Sequence, residues 1–511
     1  MIRNGVTMAS RTVRNLGADC AAAAVSRSSK PDHPWPAAPG PCGASPRARA
    51  KLEFAATPRH ERGGEELTGP SSMRILIDGM NLALEQGTGV ATYARNLSYC
   101  IKRLEHKLVA LYGKVAPERG DAVLREAMFM DAPPKGFSLI REARMVSHAA
   151  TLGALRPAEV PETGLVVRDS YRHQMPRCDA ILNRRDLFRI AKTRFDVTGL
   201  MLEVTSPEPV DIAHWTYPIP IRLRGAKNIY TFHDLVPLKL PYATLDRKAR
   251  YYRLLKTLAR TADHIVTVSE CSHRDILSML PVAPEKVTNT YQSVWIPDTL
   301  LSKDWSDVDI ELANAFHAPL GEAANTAPGN VDALRRDGFY LFVGAIEPKK
   351  NLRRIIEAFL ASGVPEPLVV VGRQGWQYKE EVKMMARSPR IIYLDYLPFS
   401  QMITLMRSAR ALLWPSLYEG FGLPILEAFL CGTPVVTAGI SSTGEIAGDA
   451  ALLVDPYDTR EIRDAIRRLS APDSEGLRRE MSEKGRRRAE AFSEERIARL
   501  LDDCYRGIMA A

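Results

Sequence analysis

Strand-length apolar runs alternate with amphipathic stretches along most of this chain, and the alternation occurs twice. The first series comprises RILID (74–78), KLVALY, DIAHW, NIYTFHD and HIVTVS. The second comprises FYLFVG (339–344), PLVVVG, RIIYLD, ALLWPS, PVVTAG and AALLVD. Continuous apolar strands that alternate with helices predict parallel sheets covered by helices on both faces. The chain is therefore predicted to be an α/β protein with two Rossmann-like domains that face each other.

The expected domain boundaries follow from the segments around the two series. Residues 301–337 are polar, with Gly and Pro in their middle, which predicts a linker with a loop insertion. We expect an N-terminal domain over 73–300 and a C-terminal domain over 338–485. A last helix, within 486–511, is expected to pack back towards the N-terminal domain.

Residues 1–72 differ from the rest of the chain in composition. They contain eight prolines and no sustained helical or alternating periodicity. Such a composition cannot bury a core, so we predict a disordered extension, or a stretch that precedes a misassigned start. Met73, which opens MRILIDG, is the expected functional start.

Removal of this extension tests the prediction. Because residues 1–72 can bury little apolar surface, a chain that begins at Met73 should unfold at the same temperature and keep its activity. Thermal unfolding of both chains is the measurement. A large fall in melting temperature after truncation would show that the extension packs on the core.

Charge, cysteine content and hydropathy exclude several classes of protein. The net charge is +9, of which residues 1–72 supply +4, and no zinc finger or dense Lys/Arg tract accompanies it, so no nucleic-acid partner is expected. No apolar run approaches the roughly 18 residues of a membrane-spanning helix. The seven cysteines include no C-x-x-C pair, which favours a reducing compartment. The predicted location is the cytoplasm.

The segment PSLYEGFGLPILEAFLCGTPVV, at 415–436, carries the strongest functional signal. Glu419 is predicted to lie in a loop after a strand, and Glu427 about one turn into the following helix. Free N–H groups around Gly422 and Leu423, at the start of that helix, favour an anion. A diphosphate flanked by two carboxylates that bind hydroxyl groups matches a nucleotide sugar.

Glu419 and Glu427, with seven residues between them, resemble the E-x7-E motif of the family 4 retaining glycosyltransferases. That family has the GT-B fold of two facing Rossmann-like domains with parallel sheets. Further segments resemble the family's nucleotide-binding domain (VGAIEPKKNL, VVVGRQGW and TGEIAGDAALLVDP) and its acceptor domain (GTGVATYARNL, YTFHDLVPLKLP and HIVTVSECS). The resemblance runs from about Met73 to the end of the chain and is poor over 115–205.

The resemblance implies a role for each matching residue. Glu427 would hold the donor ribose, and Glu419 would contact the transferred sugar. Lys350 would pair with the donor phosphates, with Lys349 as the competing candidate, because the leaving diphosphate gains charge and needs a cation. His233, at the end of NIYTFHD, would contact the sugar near the reacting carbon and would not act as a nucleophile.

Other positions complete the predicted site. Many family members carry an Arg where this chain has Ala345, and Arg373 is the alternative source of that cation. The remaining predicted donor-binding residues are Phe421, Gly422, Leu423, Gly87 and Gly89.

Several further candidates have simpler explanations. Asp307-Val308-Asp309 resembles a metal-binding D-x-D motif but lies in the predicted linker, so no metal and no other cofactor is expected. Ser269 is better explained as a helix N-cap than as a nucleophile, and Asp234 as a turn cap. His214, which nearly ends DIAHW, is the weaker histidine candidate for the cleft.

The predicted function is transfer of a hexose, with retention, from a nucleotide sugar to a lipid-linked or oligosaccharide acceptor in surface-polysaccharide synthesis. The pattern of EPKKN and GRQGW resembles the branch of mannosyl- and rhamnosyltransferases, which favours GDP-mannose over UDP- or dTDP-sugars. The alternatives are a non-catalytic nucleotide-sugar-binding protein and a GT-B nucleotide-sugar epimerase. A NAD-dependent dehydrogenase is disfavoured because no G-x-G-x-x-G follows a strand.

Two basic amphipathic segments, 184–195 and 247–260, predict association with an anionic membrane surface. That surface would be the inner face of the plasma membrane, where lipid-linked acceptors lie. The alternative is that both segments are ordinary helices whose apolar faces lie in the core.

Overall fold

Two large sheets of mainly parallel strands, which alternate along the chain with helices, form most of the part of the protein that the structure describes. The structure is a computed structural model that describes residues 72–82, 89–131, 147–149, 151, 153–167, 178–317 and 334–511. The extension predicted before Met73 therefore lies, up to residue 71, outside the described residues, as does Gly87.

Eight strands make the first sheet, and they are β1 Arg74–Asp78, β2 Lys107–Tyr112, β4 Ala158–Glu159, β5 Ala180–Asn183, β7 Ile212–Trp215, β9 Lys227–Phe232, β10 His264–Thr267 and β11 Val287–Asn289. Their order is β11-β10-β9-β7-β1-β2-β5-β4, and every adjacent pair is parallel except β4 and β5. Three short strands form a separate parallel sheet, namely β3 Ala154–Leu155, β6 Leu202–Val204 and β8 Ile221–Leu223.

Helices cover both faces of the first sheet because its strands are apolar on both sides. Along β1, Ile75 and Ile77 belong to one buried cluster and Leu76 to the other, as the two-residue period of a strand requires. The helices of this domain are α1 Gly89–Arg103, α2 Ala122–Met130, α3 Leu187–Thr198, α4 Val236–Lys239, α5 Lys248–Thr261 and α6 Glu270–Met279.

The second sheet has six strands, β12 Tyr340–Val343, β13 Leu368–Val371, β14 Ile391–Leu394, β15 Ala411–Trp414, β16 Val435–Ala438 and β17 Leu452–Val454. All pairs are parallel, in the order β14-β13-β12-β15-β16-β17. Its helices are α9 Leu352–Ser362, α10 Lys379–Ala386, α11 Phe399–Ser408, α12 Leu423–Cys431, α13 Ser441–Ala447, α14 Thr459–Ser470 and α15 Glu475–Glu490. The strand order reverses between β12 and β15, and ligands of such sheets bind at the carboxyl end of that switch point.

The segment predicted as a linker is largely helical where the structure describes it. Helices α7 Asp298–Leu301 and α8 Trp305–His317 occupy its first half. Val308 and Leu312, one turn apart in α8, are buried, and Glu311 accepts a 2.7 Å hydrogen bond from the Thr404 hydroxyl of α11. The first part of this segment is therefore a helix that packs against the second domain. Residues 318–333, in the middle of the segment, lie outside the described residues.

The last helix, α16 Glu494–Ala510, packs against α1 of the first domain. Its Tyr505 is fully buried, and the Tyr505 hydroxyl lies 2.6 Å from His214 Nδ1 on β7. The carboxyl-terminal part of the chain thus returns to the first sheet. Among the described residues, no helix combines the length and apolarity needed to cross a bilayer.

Candidate active site

The two sheets meet at the loops that follow their strands. Ser269, which precedes α6, donates a 2.7 Å hydrogen bond to the carbonyl oxygen of Gly420 in the loop after β15. Ser272 donates over 2.7 Å to the carbonyl oxygen of His233, just after β9. The Glu445 carboxylate of α13 accepts from the first two peptide N–H groups of α6, at 2.8 and 2.9 Å. Strands of both domains therefore end at one site.

A cluster of two lysines and a buried glutamate lies at the switch point of the second sheet. Lys350 Nζ is 2.7 Å from Glu419 Oε1, and Lys349 Nζ is 3.8 Å from Glu419 Oε2. The lysines end the turn after β12 and Glu419 follows the adjacent β15, so strand pairing brings them together. The structure places both lysine candidates beside the predicted glutamate.

Electrostatics keep this cluster charged. Burial alone would raise the pKa of Glu419, but the ammonium groups of Lys350 and Lys349 outweigh it and lower that pKa. Burial would likewise lower the pKa of Lys349, but the carboxylates of Glu419 and Glu347 raise it. Lys349 is therefore a cation and Glu419 an anion at neutral pH. Lys350 Nζ also lies 4.5 Å from the ring centroid of Trp414, which holds the ammonium in place.

Glu427 differs from Glu419 in having no counterion. It lies on α12 and is half-buried, and within the part of the chain that the structure describes its carboxylate has no hydrogen bond or ion pair. Burial raises the pKa of Glu427 to about 7. A partly buried carboxylate without a protein partner is suited to accept hydrogen bonds from the hydroxyl groups of a ligand.

The start of α12 offers backbone groups to a ligand. Gly422, which precedes the helix, has a φ of +126°, a conformation that glycine alone adopts readily. The side chains of Phe421 and Leu423 are buried, with Phe421 packed edge-on against Phe492 at 5.7 Å. Of these two predicted donor-binding residues, only the backbone is free to face an anion.

Arg373 and Gly89, which are also predicted to bind the donor, are not part of the cluster of Lys349, Lys350 and Glu419. The Arg373 guanidinium lies over the ring of Tyr396, 5.0 Å from its centroid, and makes no ion pair with Glu419. Gly89 is the first residue of α1 and is exposed, and a Cβ there would meet open space. No contact with a described residue therefore requires glycine at this position.

His233 is held from three sides. Its Nε2 donates a 2.8 Å hydrogen bond to the carbonyl oxygen of Thr216, after β7. The Tyr93 ring packs perpendicular to the imidazole, with 4.8 Å between the ring centroids, and the Tyr217 ring stacks on it with 6.3 Å between centroids. Burial lowers the pKa of His233. The imidazole is therefore neutral, with its proton on Nε2, and no residue that the structure describes binds the lone pair on Nδ1.

His214 does not line the cleft. It is fully buried, with Nδ1 2.6 Å from the Tyr505 hydroxyl and Nε2 2.8 Å from Thr231 Oγ1. Burial lowers the pKa of His214 to about 3, so the ring is neutral. Helix α16 covers this side chain, which agrees with the rank of His214 as the weaker histidine candidate.

The simpler explanations offered for two polar residues are confirmed. Ser269 caps α6, since its hydroxyl accepts from the Ser272 N–H at 3.0 Å. Asp234 accepts from the Val236 N–H at 3.0 Å and so caps a turn. Asp307 lies in the first turn of α8, and Asp309 is 3.6 Å from the Arg336 guanidinium. No metal-binding group of acids, histidines and cysteines occurs among the described residues.

Sequence reasoning missed Asp78, the last residue of β1. Its side chain is fully buried, and Oδ2 accepts a 2.5 Å hydrogen bond from the Thr216 N–H. Burial raises the pKa of Asp78 to about 6. The available signal was an acid that ends the apolar strand RILID, at the edge where ligands of parallel sheets bind.

Two family models match the chain, one in each half. The model described as Glycosyltransferase Family 4 matches residues 87–292. The model described as Glycosyl transferases group 1 matches residues 331–488. Together they cover well over half of the chain, including β12 and β15, the strands that flank the switch point of the second sheet.

Relatives and a solved structure agree with these models. The chain is similar to O-antigen chain mannosyltransferase B of Escherichia coli, with 29% identity over 296 residues, which is 56% of this chain and 72% of that protein. It is 26% identical to the serotype-specific mannosyltransferase WbdA of Escherichia coli over 49% of this chain, but spans only 30% of that longer protein. The structure resembles Anabaena Alr3699/HepE, solved with UDP and glucose, with a TM-score of 0.52 and 15% identity over 85% of this chain and 100% of that one.

Proposed function

The chain belongs to the family 4 glycosyltransferases of the GT-B fold and is a hexosyltransferase of the mannosyltransferase branch; we propose that it moves mannose, with retention, from GDP-mannose to a saccharide acceptor. The observation that carries the proposal is the pair of lysines bound to Glu419, close in sequence to a Glu427 that has no counterion. A nucleotide sugar supplies the matching groups, which are a diphosphate, a ribose diol and a sugar.

The diphosphate would bind at the start of α12, where N–H groups and the helix dipole favour an anion. Lys350 and Lys349 would turn from Glu419 to the phosphates, which carry more negative charge than a carboxylate. Glu419 would then be free to accept hydrogen bonds from hydroxyl groups of the transferred sugar. Glu427 would hold the ribose diol.

His233 would act on the sugar without forming a bond to it. Its Nδ1 lone pair can accept a hydrogen bond from a sugar hydroxyl, while Nε2 stays bound to Thr216. In the retaining reaction proposed here, the leaving phosphate takes the proton of the acceptor hydroxyl as the glycosidic bond breaks on the same face. The lysines stabilise the charge that the phosphate gains, in place of a divalent cation.

A panel of nucleotide sugars tests this function. The chain should hydrolyse GDP-mannose slowly without acceptor, faster than UDP-glucose or a dTDP-sugar, and EDTA should leave the rate unchanged. Release of GDP and of mannose is the measurement. Binding of nucleoside diphosphates without turnover of any donor would instead favour the non-catalytic alternative. Conversion of the donor to its epimer would favour the epimerase.

The acceptor is proposed to be lipid-linked, on the inner face of the plasma membrane. Helices α3 and α5 form one surface, since the Arg253 guanidinium lies 5.3 Å from the ring centroid of Phe195. Their apolar faces, which include Ile190 and Leu258, are buried in the core. Membrane association would therefore rest on exposed cations and on the exposed side chains of Val197, Leu200 and Leu245.

Sedimentation with vesicles tests this association. Binding to anionic vesicles at low salt, and its loss at high salt or on neutral vesicles, is the expected result. The double variant Lys192→Glu/Arg260→Glu should weaken binding by about tenfold or more, since each cation contributes about 1 kcal/mol. The matched control Arg479→Glu/Arg499→Glu makes the same charge change on α15 and α16. Absence of binding at low salt would argue against a lipid-linked acceptor.

A further inference from the structure

We propose that Asp78 is a positioning residue for His233, which it holds through the peptide groups of Thr216. The inference rests on the proposed function in one respect, namely that His233 contacts the donor sugar. Asp78 itself lies beneath the site and contacts neither sugar nor phosphate.

The contacts run through a single residue. Asp78 Oδ2 accepts from the Thr216 N–H at 2.5 Å, and the Thr216 carbonyl oxygen accepts from His233 Nε2 at 2.8 Å. The N–H of Thr216 thus binds the last residue of β1, and its carbonyl binds the residue that follows β9. A rotation of the Thr216 backbone that broke the first bond would also displace the acceptor of the second.

This arrangement fixes the tautomer of His233. A carbonyl oxygen can only accept a hydrogen bond, so Nε2 carries the proton. Nδ1 has no protein partner among the described residues, which leaves its lone pair for a ligand. If the Thr216 carbonyl moved, nothing else described would hold the proton on Nε2, and the ring could turn or change tautomer.

Asp78 also accepts from the Met80 N–H at 3.3 Å and so caps the turn after β1, but the joining of strands does not explain its contact with Thr216. Asp211 already joins the same two strands at their other end, because its Oδ2 accepts from the Arg74 N–H of β1 at 2.7 Å. Asp179 and Asp263 make equivalent bonds of 2.6 and 2.7 Å at that amino-terminal edge of the sheet. Asp78 makes its bond at the carboxyl-terminal edge, where the ligand is proposed to bind, and at the cost of burying a carboxylate completely.

The comparison of Asp78 with Asp211 gives a matched experiment on the full chain. Asp78→Ala and Asp211→Ala each remove one bond between β1 and β7, so both should lower the melting temperature. In ¹⁵N-labelled protein, the His233 signals are identified as those that disappear in His233→Ala. Of the two aspartate variants, only Asp78→Ala should change these signals. It should also lower kcat by about 10²-fold, with little change in the KM for donor. In a His233→Ala background, Asp78→Ala should cost almost no further activity.

Asp78→Asn keeps an oxygen that can accept from Thr216, and should retain the His233 signals and most of kcat. This variant also decides the matter if Asp78→Ala does not fold. Three results would each overturn the inference. The first is a folded Asp78→Asn protein with a kcat as low as that of His233→Ala, and the second is unchanged His233 signals in Asp78→Ala. The third is a loss of kcat on Asp78→Ala that is equally large with and without His233. If the unaltered chain turns over no nucleotide sugar while the signals change as expected, the proposed function fails and the positioning role stands.

Discussion

Replacement of Lys350 by alanine is expected to lower the turnover number of glycosyl transfer by about 10²–10³-fold, with a much smaller effect on the dissociation constant of the donor. The reason is that negative charge on the leaving diphosphate develops chiefly in the transition state, so a cation there lowers the barrier more than it tightens ground-state binding. Lys350 is the lysine nearer to Glu419, at 2.7 Å. Steady-state kinetics and calorimetric titration with GDP separate the two effects.

Lys349→Ala is the matched control. The carbonyl oxygen of Lys349 accepts from the Leu417 N–H at 2.8 Å, and this backbone bond survives the substitution. The variant removes a cation that lies 3.8 Å from the same carboxylate. If Lys349→Ala loses more turnover than Lys350→Ala, the assignment of the phosphate-binding lysine is wrong.

Replacement of Glu427 by alanine is expected to weaken the binding of the nucleoside diphosphate by about 1.5–3 kcal/mol, the value of charge-assisted hydrogen bonds to a diol. This corresponds to roughly 10- to 150-fold in the dissociation constant. Calorimetric titration is the measurement, with circular dichroism to establish that the variant is folded. An unchanged dissociation constant in a folded variant would remove Glu427 from the ribose site.

The pH dependence of binding gives a second test of Glu427. Burial raises the pKa of its carboxyl to about 7, so the group is protonated below that pH and charged above it. Because the charged form is the better acceptor for hydroxyl groups, affinity for a nucleotide sugar should rise between pH 6 and pH 8. Glu427→Gln should abolish the rise, while any titration that belongs to the ligand persists in both proteins. A rise of equal size in Glu427→Gln would contradict the assignment.

The parts of this protein that the sequence predicts well are encoded locally. RILID and KLVALY coincide with β1 and β2, because the inner residues of a strand buried on both faces are apolar, as residues 75–77 and 108–111 are here. The E-x7-E segment is equally local, since one loop and one helix turn contain both glutamates.

The features that the sequence does not reveal depend on contacts between distant parts of the chain. His214 is only the weaker candidate for the cleft by its position near the end of a strand, and the hydroxyl that binds it is 291 residues away. Helix α8 was not predicted, because part of its contact surface is supplied by α11. Asp78 was overlooked because a single acid that ends a strand is a weak signal, and its partner Thr216 lies 138 residues further on.

Gly420 limits how this protein can evolve. A Cβ at this position would lie 2.5 Å from the carbonyl oxygen of His233 and 2.9 Å from Cβ of Asp234, both in the other domain. Ordinary contact needs about 1 Å more, so a lineage that acquired any side chain here would have to move one domain away from the other. Substitutions at Gly420 and in the segment around His233 are therefore expected to co-vary among related sequences. The sequence between the two glutamates would then record selection on the fit between the domains as well as on the donor.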